Sequence, residues 1–208
     1  MTKLPDNIVI VGAGGHAKVV IATVRAAGGD VVAAYDDDES RWGQQILGVT
    51  IKGPVSPSEI GSAPAIIAIG NNRARKSLAE LLNARWVTAC HPSAVVHASA
   101  SVGAGTVVFA GSIVQPDASI GAHAILNTAS SVDHDCILGD FVHIGPGVRL
   151  CGGVTLDEGV LLGVGAKIAP NVEIGPWSTA GAGAVCVVDV EGGATVVGVP
   201  ARSIEADE

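Results

Sequence analysis

One phase runs unbroken through the second half of the chain. Stepping by six from Val96 gives Val102, Val108, Val114, Ile120, Leu126, Val132, Leu138, Ile144, Leu150, Leu156, Leu162, Ile168 and Ile174, and every one is aliphatic. Stepping by six from Ala94 to Ser178 meets only Ala, Thr, Ser, Cys or Val. Glycine follows the aliphatic position at Gly103, Gly121, Gly139, Gly145, Gly163 and Gly175. A hexapeptide period of this kind is the signature of a β-helix. One aliphatic residue per face points inward, small residues fit the corners, and neighbouring coils pair their backbones. Independent short strands would lose the phase somewhere in ~80 residues.

Composition follows from that architecture. Of 208 residues, 28 are Gly, 31 Ala and 30 Val, and the aromatics are only Trp42, Trp86, Trp177, Tyr35, Phe109 and Phe141. A narrow prism needs small and β-branched side chains and has little room for rings. The apolar content of 48% excludes disorder. Glycines off a strict three-residue period exclude collagen, and the Val and Gly load argues against a helical bundle.

The first part of the chain reads differently. Ile8–Val11 is a short apolar run of buried-strand type, Gly12-Ala13-Gly14-Gly15 a turn, and residues 16–27 a helix with Val19, Val20 and Val24 as its apolar stripe. Val31–Tyr35 is a second strand leading into Asp36-Asp37-Asp38-Glu39, and Ala65–Ile69 a third, followed by Gly70-Asn71-Asn72 and a helix over 73–83. This is half of a doubly wound nucleotide-binding unit. The expected division is an α/β unit over 1–88 and a β-helix with a C-terminal tail over 89–208. Gly12, Gly14 and Ala17 fit G-x-G-x-x-G/A, with Asp36 placed 24 residues after Gly12. A nicotinamide-binding reading is therefore open, although a single half also suits a mononucleotide or a nucleotide sugar.

Charge and cysteines narrow the class. Lys and Arg number 12 against 20 Asp and Glu, a net charge of −8 with no basic cluster, which speaks against nucleic acid and anionic membranes as partners. No apolar run approaches the ~18 residues of a membrane span, and Met1–Asn7 lacks signal-peptide character. Cys90, Cys136, Cys151 and Cys186 show neither metal-ligand nor disulfide-framework spacing. The expectation is a cytoplasmic protein with reduced thiols and no metal.

The hexads resemble those of the left-handed β-helix acyltransferases. In that family three hexads make an 18-residue triangular coil, so the aliphatic run implies four to five coils, roughly 20–24 Å tall. The Gly12-Ala13-Gly14-Gly15-His16 turn, Asp36-Asp37, Ile69-Gly70-Asn71-Asn72, His91-Pro92-Ser93-Ala94, Asn127-Thr128, Asp133-His134-Asp135-Cys136 and Gly198-Val199-Pro200-Ala201-Arg202 occur in this order in one subfamily. The chain thus resembles the bacterial nucleotide-sugar N-acetyltransferases, which acetylate a 4-amino-4,6-dideoxy sugar on a nucleotide diphosphate. It is also similar to the sialic-acid O-acetyltransferases of the same architecture. The resemblance implies acetyl-CoA as co-substrate, a nucleotide-amino sugar as acceptor, and a homotrimer with its sites between chains.

Site residues follow residue by residue. His134 lies two places after Val132, hence outward, between Asp133 and Asp135. Acetyl transfer to an amine needs a base, and an imidazole supported by a carboxylate suits the task. The resemblance makes His134 that base and Asp135 its partner, where some members carry the longer Glu. Gly152 follows His134 by one 18-residue coil and stacks over it, and its N–H is the expected donor to the developing oxyanion. His143 is half a coil from His134, on the opposite side of the prism. It is a candidate cofactor or interface residue, shared between chains if it serves the same site. By resemblance Gly14, Gly15 and His16 approach the pyrophosphate or sugar, and Asp36, Asp37, Asn71 and Asn72 the nucleoside, with Gly70 also counted as substrate-binding. His91, His97 and His123 read as ordinary polar positions. Cys151 beside Gly152 leaves a thiol ping-pong route as competing chemistry, sugar O-acetylation is the second reading, and a non-catalytic nucleotide-binding trimer the third.

Overall fold

The computed structural model describes residues 4–204. The first unit is a six-stranded sheet of β1 (Ile8–Val11), β2 (Val31–Tyr35), β3 (Gln45–Ile46), β4 (Val49–Lys52), β5 (Pro64–Ile67) and β6 (Arg85–Trp86), in the order β3-β4-β2-β1-β5-β6. β1 is central and parallel to β2 and β5, as its fully buried Ile-Val-Ile-Val run requires. Helices α1 (Gly15–Ala26), α2 (Pro57–Ile60) and α3 (Asn72–Leu81) complete the unit. In α1 the stripe differs from the expected one. Ala17, Val20, Ile21 and Val24 are buried, whereas Val19 is 40% exposed. A helix advances 100° per residue, and the face set by Val20 and Val24 continues to Ala17 and Ile21 rather than to Val19.

From Ala89 onward the chain winds into a parallel β-helix with two-residue strands on three faces. The first face stacks Ala89–Cys90, Val107–Val108, Ile125–Leu126, His143–Ile144, Leu161–Leu162, Thr179–Ala180 and Thr195–Val197. The second stacks Val95–Val96, Ile113–Val114, Ser131–Val132, Arg149–Leu150, Lys167–Ile168 and Val185–Cys186, and the third runs from Ser101–Val102 to Glu173–Ile174. Val107 pairs with Ile125 and Ile125 with His143, and the same 18-residue register holds on every face until the last coil, where Thr179 pairs with Thr195. The stack is taller than the aliphatic run implies. Cys90, Ala180 and Cys186 occupy the inward position beyond its two ends, where the aliphatic pattern does not reveal them. Arg202–Ile204 closes the end antiparallel to Thr195–Val197.

From Val108 to Ile174 every sixth residue is buried in one continuous column. Each contributes about 1.5–3 kcal/mol on leaving water. Val96 and Val102 are only half-buried, because the column is open below them. The glycine slot is steric: a Cβ on Gly103 would stand 2.5 Å from the backbone carbon of Gly121 in the next coil.

The first unit sits on the first face of the prism. Outward-pointing Val107 and Ile125 and the neighbouring Phe109 are each 1% exposed and share a core with Ala17, Val20 and Ile21 of α1. On the other two faces the equivalent outward positions include Val95, Ile113 and Ile137, which remain exposed.

Candidate active site

His134 lies on the vertex between the second and third faces, after Ser131–Val132 and before Ile137–Leu138. Its side chain is 61% exposed, and its Nδ1 lies 2.7 Å from Asp135 Oδ2. Asp135 takes a left-handed backbone (φ 59°), and its carboxylate turns back onto the preceding ring. The hydrogen bond to Asp135 raises the His134 pKa above its ordinary value, with Asp133 adding in the same direction. The Nδ1–H donates to Asp135, so the lone pair of the neutral ring resides on Nε2. Asp133 Oδ1 accepts from the His134 N–H at 2.8 Å and fixes the backbone.

The ring of His134 covers Gly152. A Cβ on Gly152 would lie 2.5 Å from its Cε1 and 2.6 Å from its Nε2. Around Gly152 the backbone is tied down: Cys151 N–H donates to Ile168 O, Gly153 N–H to His134 O, and Gly152 O accepts from Asn171 N–H. Among the described residues the Gly152 N–H has no backbone acceptor. An imidazole Nε2 and a spare N–H therefore share one exposed corner.

His143 belongs elsewhere. It projects from the first face, opposite the His134 vertex, towards the α/β unit. Its Nδ1 is 3.2 Å from Gly70 O, and its Nε2 is 3.3 Å from Asn127 Nδ2. The His16 ring follows at 6.1 Å between centroids and meets Phe109 edge-on at 5.4 Å. Burial, reinforced by the Arg75 charge, lowers the pKa of both His16 and His143 to about 4. Both rings are neutral near pH 7. Gly14 and Gly15 open α1 beside them, with empty space where side chains would project, and Gly14 caps the helix with no side-chain bond.

The acidic loop is held by its own bonds. Asp36 Oδ2 accepts from Ala13 N–H at 2.7 Å and Oδ1 from Asp38 N–H at 3.0 Å, with Arg41 alongside at 3.7 Å. Asp37 Oδ1 accepts from Val55 N–H at 2.8 Å. Asp36 thus locks the glycine turn to the end of β2. Asn71 Oδ1 accepts from Ala74 N–H at 2.9 Å and caps α3. Asn72 departs from the expected place on the nucleoside side. It is 8% exposed, and its amide donates to Gly159 O at 3.0 Å and Val160 O at 3.2 Å across the junction. His123, expected as an ordinary polar position, is instead buried at 5% exposed, and Arg75, which no motif marks, is 1% exposed. His123 stacks on Phe141 with ring centroids 5.2 Å apart and meets Trp86 edge-on. His123, Phe141 and Trp177 fall at multiples of 18 residues, with Gly159 between the last two, and this spacing was the available signal, since it places large rings on one vertex.

A variant of perosamine N-acetyltransferase from Caulobacter crescentus, solved in complex with CoA and GDP-perosamine, is 40% identical over 96% of this chain and 97% of its own, with a TM-score of 0.88. This chain belongs to the nucleotide-sugar N-acetyltransferases built on the left-handed β-helix. Residues 7–82 of the acetyltransferase match the PglD N-terminal domain. The acetyltransferase domain of PglB from Neisseria gonorrhoeae, in complex with acetyl coenzyme A, is 37% identical over 95% of this chain and 98% of that one, with a TM-score of 0.86. The curated UDP-N-acetylbacillosamine N-acetyltransferase of Bacillus subtilis is 39% identical over 111 residues, and the match spans about half the length of each chain.

Proposed function

We propose that the protein transfers an acetyl group from acetyl-CoA to the 4-amino group of a nucleotide-linked 4-amino-4,6-dideoxy sugar. The observation that carries this reading is the corner where His134, tied to Asp135 at 2.7 Å, presents a free Nε2 over Gly152. The acceptor amine attacks the thioester carbonyl and must shed a proton. His134 Nε2 takes that proton, and Asp135 supports the imidazolium that forms. The Gly152 N–H faces the carbonyl oxygen as it gains charge. The thiolate that leaves is reprotonated as the cycle closes. Attack is direct, with no acyl-enzyme on Cys151.

The acceptor side is built from Gly14, Gly15, His16, Gly70 and Asn71, with Asp36 and Asp37 shaping the loop above them. Open space over Gly14 and Gly15 and the positive end of α1 suit a pyrophosphate. His143 lies on that side, opposite the His134 vertex. One chain cannot bring the two histidines together, so the complete site forms between neighbouring copies, in a homotrimer. Ile137, 57% exposed and three residues from His134, supplies apolar surface for that contact. In a His134→Ala variant that retains the fold, acetylation followed by free-thiol release falls by about 10²-fold or more. Near-normal turnover removes His134 from the mechanism.

A further inference from the structure

Helix α3 lies along the vertex between the third and first faces, where positions 123, 141, 159 and 177 stack at 18-residue intervals. Arg73 covers the Trp177 ring at 4.4 Å, and Lys76 pairs with Glu158. Asn72 takes Gly159 O. Arg75 takes the next two carbonyls, with its Nε–H donating to His123 O at 2.8 Å and an Nη2–H to Phe141 O at 2.7 Å. Its remaining donors reach Asn72 Oδ1 at 2.9 Å, Ile69 O at 3.0 Å and Gly70 O at 3.3 Å.

A guanidinium has five N–H donors, and these five bonds use all of them. None goes to a carboxylate. Burial of a cation without a counter-ion is costly, and it pulls the Arg75 pKa down to about 10, which still leaves the group charged at pH 7. A neutral side chain could fill the space at lower cost. What the charge adds is a rigid fork joining two coil carbonyls to two carbonyls of the Ile69–Gly70 loop. The same Gly70 O faces His143 Nδ1 at 3.2 Å.

We propose that Arg75 is a positioning residue for acetyl transfer: it clamps the Ile69–Gly70–Asn71 loop to the coil carbonyls of His123 and Phe141, and so sets the acceptor-binding loop against His143. The proposal rests on the function inferred above. Arg75 touches neither reactant. It acts through Gly70, and its loss loosens the nucleotide-sugar side while leaving the His134–Asp135–Gly152 corner intact.

The test compares Arg75→Lys and Arg75→Gln with Arg73→Ala, which loosens the same helix–vertex junction without touching the loop. Steady-state kinetics are measured with acetyl-CoA and GDP- and UDP-linked 4-amino-4,6-dideoxy sugars, alongside calorimetric Kd values for each and thermal melts. The expected result is a KM and Kd for the preferred nucleotide sugar raised about tenfold or more in Arg75→Gln, the scale of one lost charge-assisted hydrogen bond. Arg75→Lys recovers part of that loss. The KM for acetyl-CoA stays within about twofold, and Arg73→Ala lowers the melting temperature without moving either KM. A lower melting temperature with unchanged nucleotide-sugar KM, or both KM values rising together in all three variants, overturns the proposal. If the unmodified protein binds these sugars but acetylates none, the functional reading fails, while the Kd comparison still decides the role of Arg75.

Discussion

The imidazole of His134 occupies the space that a side chain at Gly152 would fill, with Cε1 2.5 Å from the position of a Cβ there. The relationship spans one coil and has a direct consequence for mutation. Gly152, unlike Gly153 (φ 69°), does not adopt a left-handed backbone, so alanine is conformationally allowed. The atoms it meets belong to an exposed ring that can swing away. Gly152→Ala is therefore expected to keep stability within about 0.5 kcal/mol and to lose about 10²-fold in turnover through displacement of the base. Thermal melts and initial rates on one preparation check it. A stable variant with full activity would separate Gly152 from the chemistry.

In the proposed mechanism Asp135 sets the pH at which His134 becomes a base. Its hydrogen bond raises the His134 pKa above 6.5, and the ring must be neutral to accept a proton. The rate therefore rises as pH increases through that raised value. Asp135→Asn removes the charge and moves the acidic limb of the kcat/KM profile to lower pH, while the plateau falls because the imidazolium loses its support. An unshifted limb would show that another group controls the profile.

Buried neutral histidines make the fold sensitive to acid. His123, His16 and His143 have pKa values lowered to about 4, in each case chiefly by burial. Between about pH 6.5 and 4 the unfolded chain binds protons that the folded chain refuses, so stability falls as pH falls through this window. For His123 alone the loss is on the order of 3 kcal/mol at most. His123→Phe removes the titrating group. The left-handed backbone at 123 (φ 52°) already accommodates aromatic residues at the equivalent positions Phe141 and Trp177. Urea unfolding across this pH range is expected to show a shallower dependence in the variant. Superimposable curves would mean that His123 is not held neutral.

Much of the fold was legible because the β-helix is a one-dimensional lattice. The phase of Val108 through Ile174 fixes which residues point inward, and one coil of arithmetic puts Gly152 beside His134. The same arithmetic sends His143 to the far side. The ends were harder, because Cys90, Ala180 and Cys186 fill inward slots without being aliphatic. The junction between the units was not legible. Arg75 looks like an ordinary residue of an amphipathic helix, and Asn72 like part of the loop before it and a contact to the nucleoside; only the packing of α3 on the vertex turns their polar groups inward. The outward apolar residues Val107 and Ile125 carry that docking, but Val95 and Ile113 make the same pattern on the second face and remain exposed, so the pattern alone does not mark the junction.

The most direct test of the account incubates the protein with acetyl-CoA and a panel of UDP- and GDP-linked 4-amino-4,6-dideoxy sugars, each beside its 4-hydroxy counterpart, and reads free thiol and product mass. The account predicts thiol release matched by one acetyl group on an amino sugar, abolished in His134→Ala and absent with the hydroxy counterparts. Acetyl transfer to the hydroxy sugars alone, or to none of the panel, would contradict it.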